Sequence, residues 1–582
     1  MNPTTTKERP LLPEAALAAY ASALADAVAE LYSAGASAEI AFESPRNPDF
    51  GDFATNVAFA LARVARRSPQ DVATALVERV DARQPRMREI FSAIVPVAGF
   101  INVRLGAASW QAAVARVLAE GGRFGEGPKQ DRRISLEFGS ANPTGPLVVV
   151  QGRTLSIGAT LAAAMRFCGY DVFVEWIIND AGGQLETLAR SLYARYRQQF
   201  EPEFPFPEDG YPGEYLRPIA AAITQRDGTR WTNVEQAEWL PVFGVFGRDA
   251  LVAEQLQTVA RFGVIYDHWQ SERELHDSGR VRDALARLSD GGLTYEKDGA
   301  LYFKATKFGD DKDRVLVRSD GRPTYLAPDV AYHHEKLQRS DRVIDILGPD
   351  HHGYIGRLHG LAEALGYKGR LEVLIAQHVT LMRGSQQVSM SKRAGDIVTL
   401  DEILDEVGVD AARFFFAMLA PESPLTFDLE LAKQESNDNP VFYVQYGHAR
   451  IASVIKNAAP SEVEVARTAQ ALGPLTHPAE LVLARRINEL PRTVRNVVDN
   501  LAPHRLARYA RELASDFHQF YTECKILTDD REQRIARLAL SLAAQNVLAR
   551  VLEILGVSAP LSMDREATAD RSPARRNNAT AT

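Results

Sequence analysis

Two stretches of this chain have the residue types and spacing for chemistry on phosphates. Asn142-Pro-Thr-Gly-Pro146 follows a strand-like run at residues 134–138 and leads into a helical pattern. A strand end that feeds a tight turn and then a helix is the usual ligand crevice of an open α/β sheet. Free N–H groups at the helix start favour anions there. Pro/Gly turns are common, so this segment alone reads equally well as a structural loop. The second stretch, Val388-Ser-Met-Ser-Lys-Arg-Ala-Gly395, is a polar loop after strand-like residues 376–382. Its Lys392 and Arg393 can stabilise charge that develops on a leaving pyrophosphate. Most Lys-Arg pairs belong to solvated loops, but the pattern Met-Ser-Lys-Arg-Ala-Gly favours function here.

Other residues carry weaker signals. Tyr325 and Asp329 are four positions apart and share one face if they lie on a helix. Pro328 allows this when it sits in the first turn. His351 and His352 have no partner cluster at ligand spacing, so no metal site is predicted. His333 and His334 read as helix-surface residues, and Trp176 as core.

These residues need elements to hold them. From Arg132 onward, strand patterns at residues 134–138, 171–178, 342–347 and 371–376 alternate with helical ones. Such alternation predicts an α/β fold with a Rossmann-like, doubly wound parallel sheet. A small α+β unit is expected over residues 1–125, and the α/β domain over 126–405, with an insertion near 205–295. Residues 406–562 predict an all-α bundle. The polar residues 563–582 read as a disordered tail.

The 582 residues are enough for three or four domains, and the 46% apolar content is that of an ordinary globular protein. No continuous apolar run reaches the roughly 18 residues that span a bilayer. The start lacks an apolar signal region. Two distant cysteines, Cys168 and Cys524, fit a reducing, cytoplasmic compartment as buried thiols. With a formal net charge of -8, a nucleic-acid partner requires a local basic surface.

The loop at residues 388–395 resembles the Lys-Met-Ser-Lys-Ser signature of class I aminoacyl-tRNA synthetases. Flanking segments are similar to arginyl-tRNA synthetases: Ile178-Asn-Asp-Ala-Gly182, Tyr325-Leu-Ala-Pro-Asp-Val-Ala-Tyr332, Gly348-Pro-Asp-His-His-Gly-Tyr354 and Asn439-Pro-Val-Phe-Tyr-Val-Gln-Tyr446. The likeness runs over about residues 35–560, with its motifs in the family's order. It implies that Glu137, Asn142, Tyr325, Asp329 and Gln377 hold arginine. Carboxylates in the plane of a guanidinium suit its fork of donors. It implies that Lys392 and Arg393 act in catalysis, and that Met390 and Ser391 line the nucleotide site. Substrates would be arginine, tRNA and ATP with Mg2+, in a monomeric protein. The first domain would touch the outer corner of tRNA, and Tyr443, Gln445, Tyr446 and Arg450 of the bundle would read the anticodon. Tyrosine faces and amide or guanidinium donors suit single-stranded bases. Arg485, Arg486, Arg492, Arg495, Arg505, Arg508 and Arg511 form either a basic stripe or a solvated helix face.

One departure stands out. Where the family carries His-Ile/Val-Gly-His, this chain has Val148, Val149, Val150 and Gln151. Valine donates no hydrogen bond, glutamine offers a neutral amide, and Val150 puts a branched side chain where adenine should approach. Losing one placed donor costs roughly 3–4 kcal/mol of transition-state stabilisation. Three functions therefore remain open from sequence: an arginine–tRNA ligase with an unorthodox ATP site, a paralogue that binds arginine or tRNA without ligation, and an enzyme that transfers or modifies arginine elsewhere.

Overall fold

A computed structural model describes residues 10–32, 39–45, 47–388 and 398–563. Met390, Ser391, Lys392 and Arg393 lie outside the described residues, as does almost all of the expected tail.

The N-terminal unit is built on three antiparallel strands, β1 (Phe53–Thr55), β2 (Phe91–Val97) and β3 (Phe100–Leu105), in the order β1-β3-β2. The helix Pro13–Leu31 packs near them because Ala16, Tyr20, Ala23, Leu24 and Ala27 recur at helical spacing and are buried.

The central sheet is all parallel. Its strands are β4 (Arg133–Phe138), β5 (Asp171–Ile178) and β6 (His268–Ser271), followed after an excursion by two more. In the excursion, β7 (Thr294–Lys297), β8 (Ala300–Phe303) and β9 (Arg314–Val317) pair as a small antiparallel sheet. Then β10 (Arg342–Leu347) and β11 (Leu371–Ile375) complete the order β11-β10-β4-β5-β6. Chain direction across the sheet reverses between β4 and β10, which opens a crevice at their carboxyl ends. The expected fold class is the one observed. One detail differs: residues 268–271, assigned to the insertion from sequence, form the edge strand β6. Four residues in register with only the end of β5 leave little periodicity to detect.

The helix Val149–Phe167 crosses β4, and Gly158 permits the approach, since a Cβ there would lie 2.1 Å from the Phe138 ring. Between β5 and β6, helices Gly183–Arg197, Leu216–Asp227 and Gln236–Arg261 enclose their own aromatic core, with Tyr193 stacked on Trp239 at 3.8 Å.

After β11 comes one further parallel pair, between β12 (Val379–Arg383) and β14 (Leu425–Asp428), with β13 (Gln386–Gln387) on the other side of β12, and beyond residue 400 the chain is otherwise mostly helical. The helix Arg531–Leu555 is long and apolar enough to cross a membrane by length and composition, yet 72% of its apolar window is buried in the bundle. It is a core helix. Arg413, also buried, donates from Nε to the Leu555 carbonyl and from a terminal nitrogen to the Phe262 carbonyl at 2.9 Å. One cation thereby ties together the carboxyl ends of the helices Gln236–Arg261 and Arg531–Leu555.

Candidate active site

The crevice between β4 and β10 holds a layer of buried charge. Glu137 lies near the end of β4, Asp345 lies in β10, and the helix Leu326–Arg339 crosses them. On that helix Asp329, His333 and Lys336 recur at positions i, i+4 and i+7, so they share the face turned to the sheet. Lys336 is 0% exposed and donates to Glu137 Oε2 at 2.7 Å and to Asp345 Oδ1. His333 meets Asp345 Oδ2 at 2.9 Å through Nε2 and the Asp329 carbonyl at 2.8 Å through Nδ1. Both ring nitrogens face acceptors, so both donate and the imidazole is cationic. Burial disfavours that charge, but Asp345 outweighs it and raises the His333 pKa. Burial likewise opposes the charges of Lys336 and Asp345. Asp345, Glu137 and Glu175 hold the lysine above its ordinary range, while Lys336 and His333 hold the Asp345 carboxyl well below its own. Burial pushes the Glu137 carboxyl up, and Lys336 opposes this.

His333 and His334 are therefore buried, contrary to the surface position expected from sequence. Trp176 is fully buried and both cysteines are buried and free, as expected.

Two carboxylates at this crevice differ from the rest. Asp329 and Glu272, the latter at the start of the helix Glu272–Asp277 after β6, make no side-chain hydrogen bond or ion pair among the described residues. Burial, then repulsion from Asp329 and Asp180, lifts Glu272 to about 7. Burial lifts Asp329 to about 6, with Glu137 and Asp345 adding to the shift and His333 and Lys336 opposing it. Both are poised to gain from a bound cation. Asp180 fixes the approach to Glu272, accepting from Ser271 Oγ at 2.8 Å and from the Arg273 amide at 3.0 Å. Tyr325 caps the Asp329 helix and is 62% exposed, and Pro328 sits in the first turn, where proline fits.

The turn residue Asn142 is held by the insertion. Gln255 donates to its carbonyl at 3.1 Å and to that of Gly145 at 2.8 Å, while Asn179 donates to its side-chain oxygen at 2.9 Å. Ser140 connects this turn to Glu137 Oε1 at 3.2 Å. Gln377 follows β11, its peptide clamped by Arg153. That buried guanidinium donates to the carbonyls of Gln377 at 2.8 Å, Ala420 at 3.0 Å and Ser423 at 2.7 Å.

The altered signature forms the start of the helix Val149–Phe167. Val148 is extended, bridges Thr399, and donates its N–H to Gln151 Oε1 at 3.2 Å. Gln151 thus closes the helix start from inside, as the third residue of a capping box does. Val150 lies against the end of β10: a Cβ on Gly348 would be 3.8 Å from Val150 Cγ1. His351 and His352 are exposed in the short turn Pro349–Tyr354 that follows. Among the described residues no group of three His, Cys, Asp or Glu side chains is arranged to hold a metal.

In the bundle, Tyr443, Gln445, Tyr446 and Arg450 are half-buried on the helix Pro440–Asn457. Arg450 lies 4.9 Å from the Tyr446 ring centroid and 4.7 Å from that of Tyr521, and Phe442 stacks beside Tyr446. Gln445 donates its side-chain amide to Asp410 at 2.8 Å and to the Ser558 carbonyl at 3.0 Å. Three members of the arginine run are held in ion pairs. Arg486 pairs with Asp516, Glu512 and Glu489, Arg508 with Glu512, and Arg485 with Glu489 and with Asp52 of the N-terminal unit.

Kinship can be set beside this geometry. Arginine–tRNA ligases from Moorella thermoacetica and Heliobacterium modesticaldum are 45% and 44% identical to the chain, over 93% and 90% of it and 98% and 94% of their own lengths. The chain belongs to the arginyl-tRNA synthetase family. Three family models match it: "Arginyl tRNA synthetase N terminal domain" at residues 18–105, "tRNA synthetases class I (R), catalytic domain" at 252–416, and "DALR anticodon binding domain" at 444–563. The catalytic match begins after the altered signature. The crystal structure of an arginyl-tRNA synthetase from Campylobacter jejuni superposes with a TM-score of 0.72 at 29% identity, covering 79% of this chain and 100% of that one. The Thermus thermophilus arginyl-tRNA synthetase, with a TM-score of 0.72 and 22% identity, covers 94% of this chain and 100% of its own and shares the fold.

Sequence reasoning missed Lys336, Asp345, Glu272, Ser140 and Arg153. One signal was available: Asp345 and Glu175 are carboxylates in the interior of apolar parallel strands, and such a buried charge demands a cation nearby.

Proposed function

We propose that this protein is an arginine–tRNA ligase. It joins arginine to AMP with release of pyrophosphate from ATP, then passes the arginyl group to a 3′-terminal ribose hydroxyl of tRNA. The observation that carries the amino-acid assignment is the charge balance of the crevice. Lys336 and His333 satisfy Glu137 and Asp345, while Asp329 and Glu272 are left without a cationic partner among the described residues. Arginine supplies the missing cation, and a planar guanidinium can bridge two carboxylates. Tyr325, Asn142, Glu137 and Gln377 complete the pocket.

On the nucleotide side, ATP brings Mg2+, and Lys392 and Arg393 supply charge to the departing pyrophosphate. Val148, Val149, Val150, Gln151, Met390 and Ser391 line the nucleotide site. The exposed ring pair Phe59 and Phe100, 5.0 Å apart, offers the N-terminal unit a face for an unstacked base. In the bundle Tyr443, Tyr446 and Arg450 take that part toward the anticodon. The protein acts as a cytoplasmic monomer.

The test is pyrophosphate exchange and aminoacylation with arginine, ATP and arginine-accepting tRNA. Exchange that depends on arginine, strengthens with tRNA and fails with lysine supports the reading. Equal exchange with lysine, or none with arginine and tRNA present, refutes it.

A further inference from the structure

Glu137 is tied on both sides. Oε2 accepts from Lys336, and Oε1 accepts from Ser140 of the turn that also carries Asn142. Lys336 in turn is held from behind by Asp345, which His333 grips through its second oxygen. The five side chains form one continuous line across the switch point, from the helix Leu326–Arg339 through β10 to β4 and out to the turn. Lys336 reaches no solvent, so it cannot touch the amino acid except through Glu137.

A buried lysine between two carboxylates is an expensive arrangement for stability alone. Apolar side chains of like volume often serve as well in a core. Its benefit is positional, because an ion pair with fixed geometry holds a carboxylate in one rotamer and one charge state. We infer that Lys336 is a positioning residue for arginine recognition: it holds Glu137 as an oriented anion, with His333 and Asp345 as its fixed support. Glu137 and Lys336 then act as one unit toward the ligand.

This inference rests on the arginine reading of the pocket, and binding can test it without catalysis. Calorimetric affinity for arginine and a melting curve are measured for the unaltered protein and for Lys336→Met, Glu137→Gln and the double variant. A Glu137 carboxylate fixed by Lys336 predicts that each single change weakens arginine binding on the order of tenfold or more, since removing one partner of a buried charge pair disables the other. The double variant should then bind no worse than the weaker single variant, while melting above Lys336→Met because no lone charge is left buried. A purely structural lysine predicts otherwise: Lys336→Met that folds and binds arginine normally, or losses that multiply in the double variant, would overturn the inference. If Lys336→Met does not fold, the double variant is compared with Glu137→Gln alone, and a further tenfold loss counts against the unit. Failure of the unaltered protein to bind arginine at all overturns the pocket reading instead.

Discussion

The two ends of the crevice are built on different principles. At the amino-acid end, at least four charged side chains from three elements share hydrogen bonds in a layer sealed from water. At the nucleotide end, one helical turn presents three valines and a glutamine that folds back on its own backbone. A buried ionic layer resists piecemeal change, because removing one member leaves the others unpaired. A helix start is more tolerant, since the backbone donors persist whatever side chains surround them. Family-wide chemistry can therefore survive at one end while side chains at the other are replaced.

The sharpest way to break this contrast is at Asp329. Asp329→Asn should raise the KM for arginine roughly 1000-fold, the cost of about 4 kcal/mol for losing a charged, low-dielectric contact, with little change in the KM for ATP. An arginine KM within a few fold of normal would remove Asp329 from the pocket. Arg153→Met should lower folding stability by about 3 kcal/mol, because it strands at least three partly buried carbonyls. It should also weaken arginine binding through Gln377, as denaturant titration and calorimetry would show.

The reverse operation probes the nucleotide end. Val148→His with Val150→Gly and Gln151→His should raise arginine-dependent pyrophosphate exchange at least about tenfold, a fraction of two restored donors. No gain would mean that this end reaches its transition state through other contacts.

Proton linkage sharpens the same comparison. Glu272 titrates at about 7 in the free protein. A guanidinium favours the ionised form, so arginine affinity should rise about tenfold from pH 6 to pH 8. Glu272→Gln should flatten that rise and weaken binding at pH 8. For folding the sign is opposite. A raised folded-state pKa makes Glu272 favourable below its unfolded value, and that contribution is lost as pH climbs through 7. Without arginine, Glu272→Gln should thus melt higher than the parent at pH 8. The smallest effect is expected at Arg485→Ala, which removes a partly exposed tie to Asp52 and should cost under about 1 kcal/mol.

Much of this architecture was legible in the chain. The runs at 134–138, 171–178 and 342–347 coincide with β4, β5 and β10 because buried parallel strands read as short apolar blocks. The pocket's ionic layer was not legible. Lys336 and His333 lie on a helix whose periodicity does not say which face meets a sheet carrying carboxylates. A lysine there reads as solvent-facing by default. By residue type Gln151 offers a substitute donor, whereas its reach to Val148 depends on backbone geometry at the helix start. Glu272 follows an edge strand too short to announce itself.

The pairing of Glu137 with Lys336 spans 199 positions. A growing chain that has just completed β4 must hold that carboxylate exposed until the distant lysine emerges, roughly ten to forty seconds later at usual elongation speeds. The helical insertion, with its own aromatic interior, can settle during that interval. Ligand recognition is thus among the last properties the nascent polypeptide acquires, and a fragment truncated before residue 336 can carry well-formed parts yet no arginine pocket.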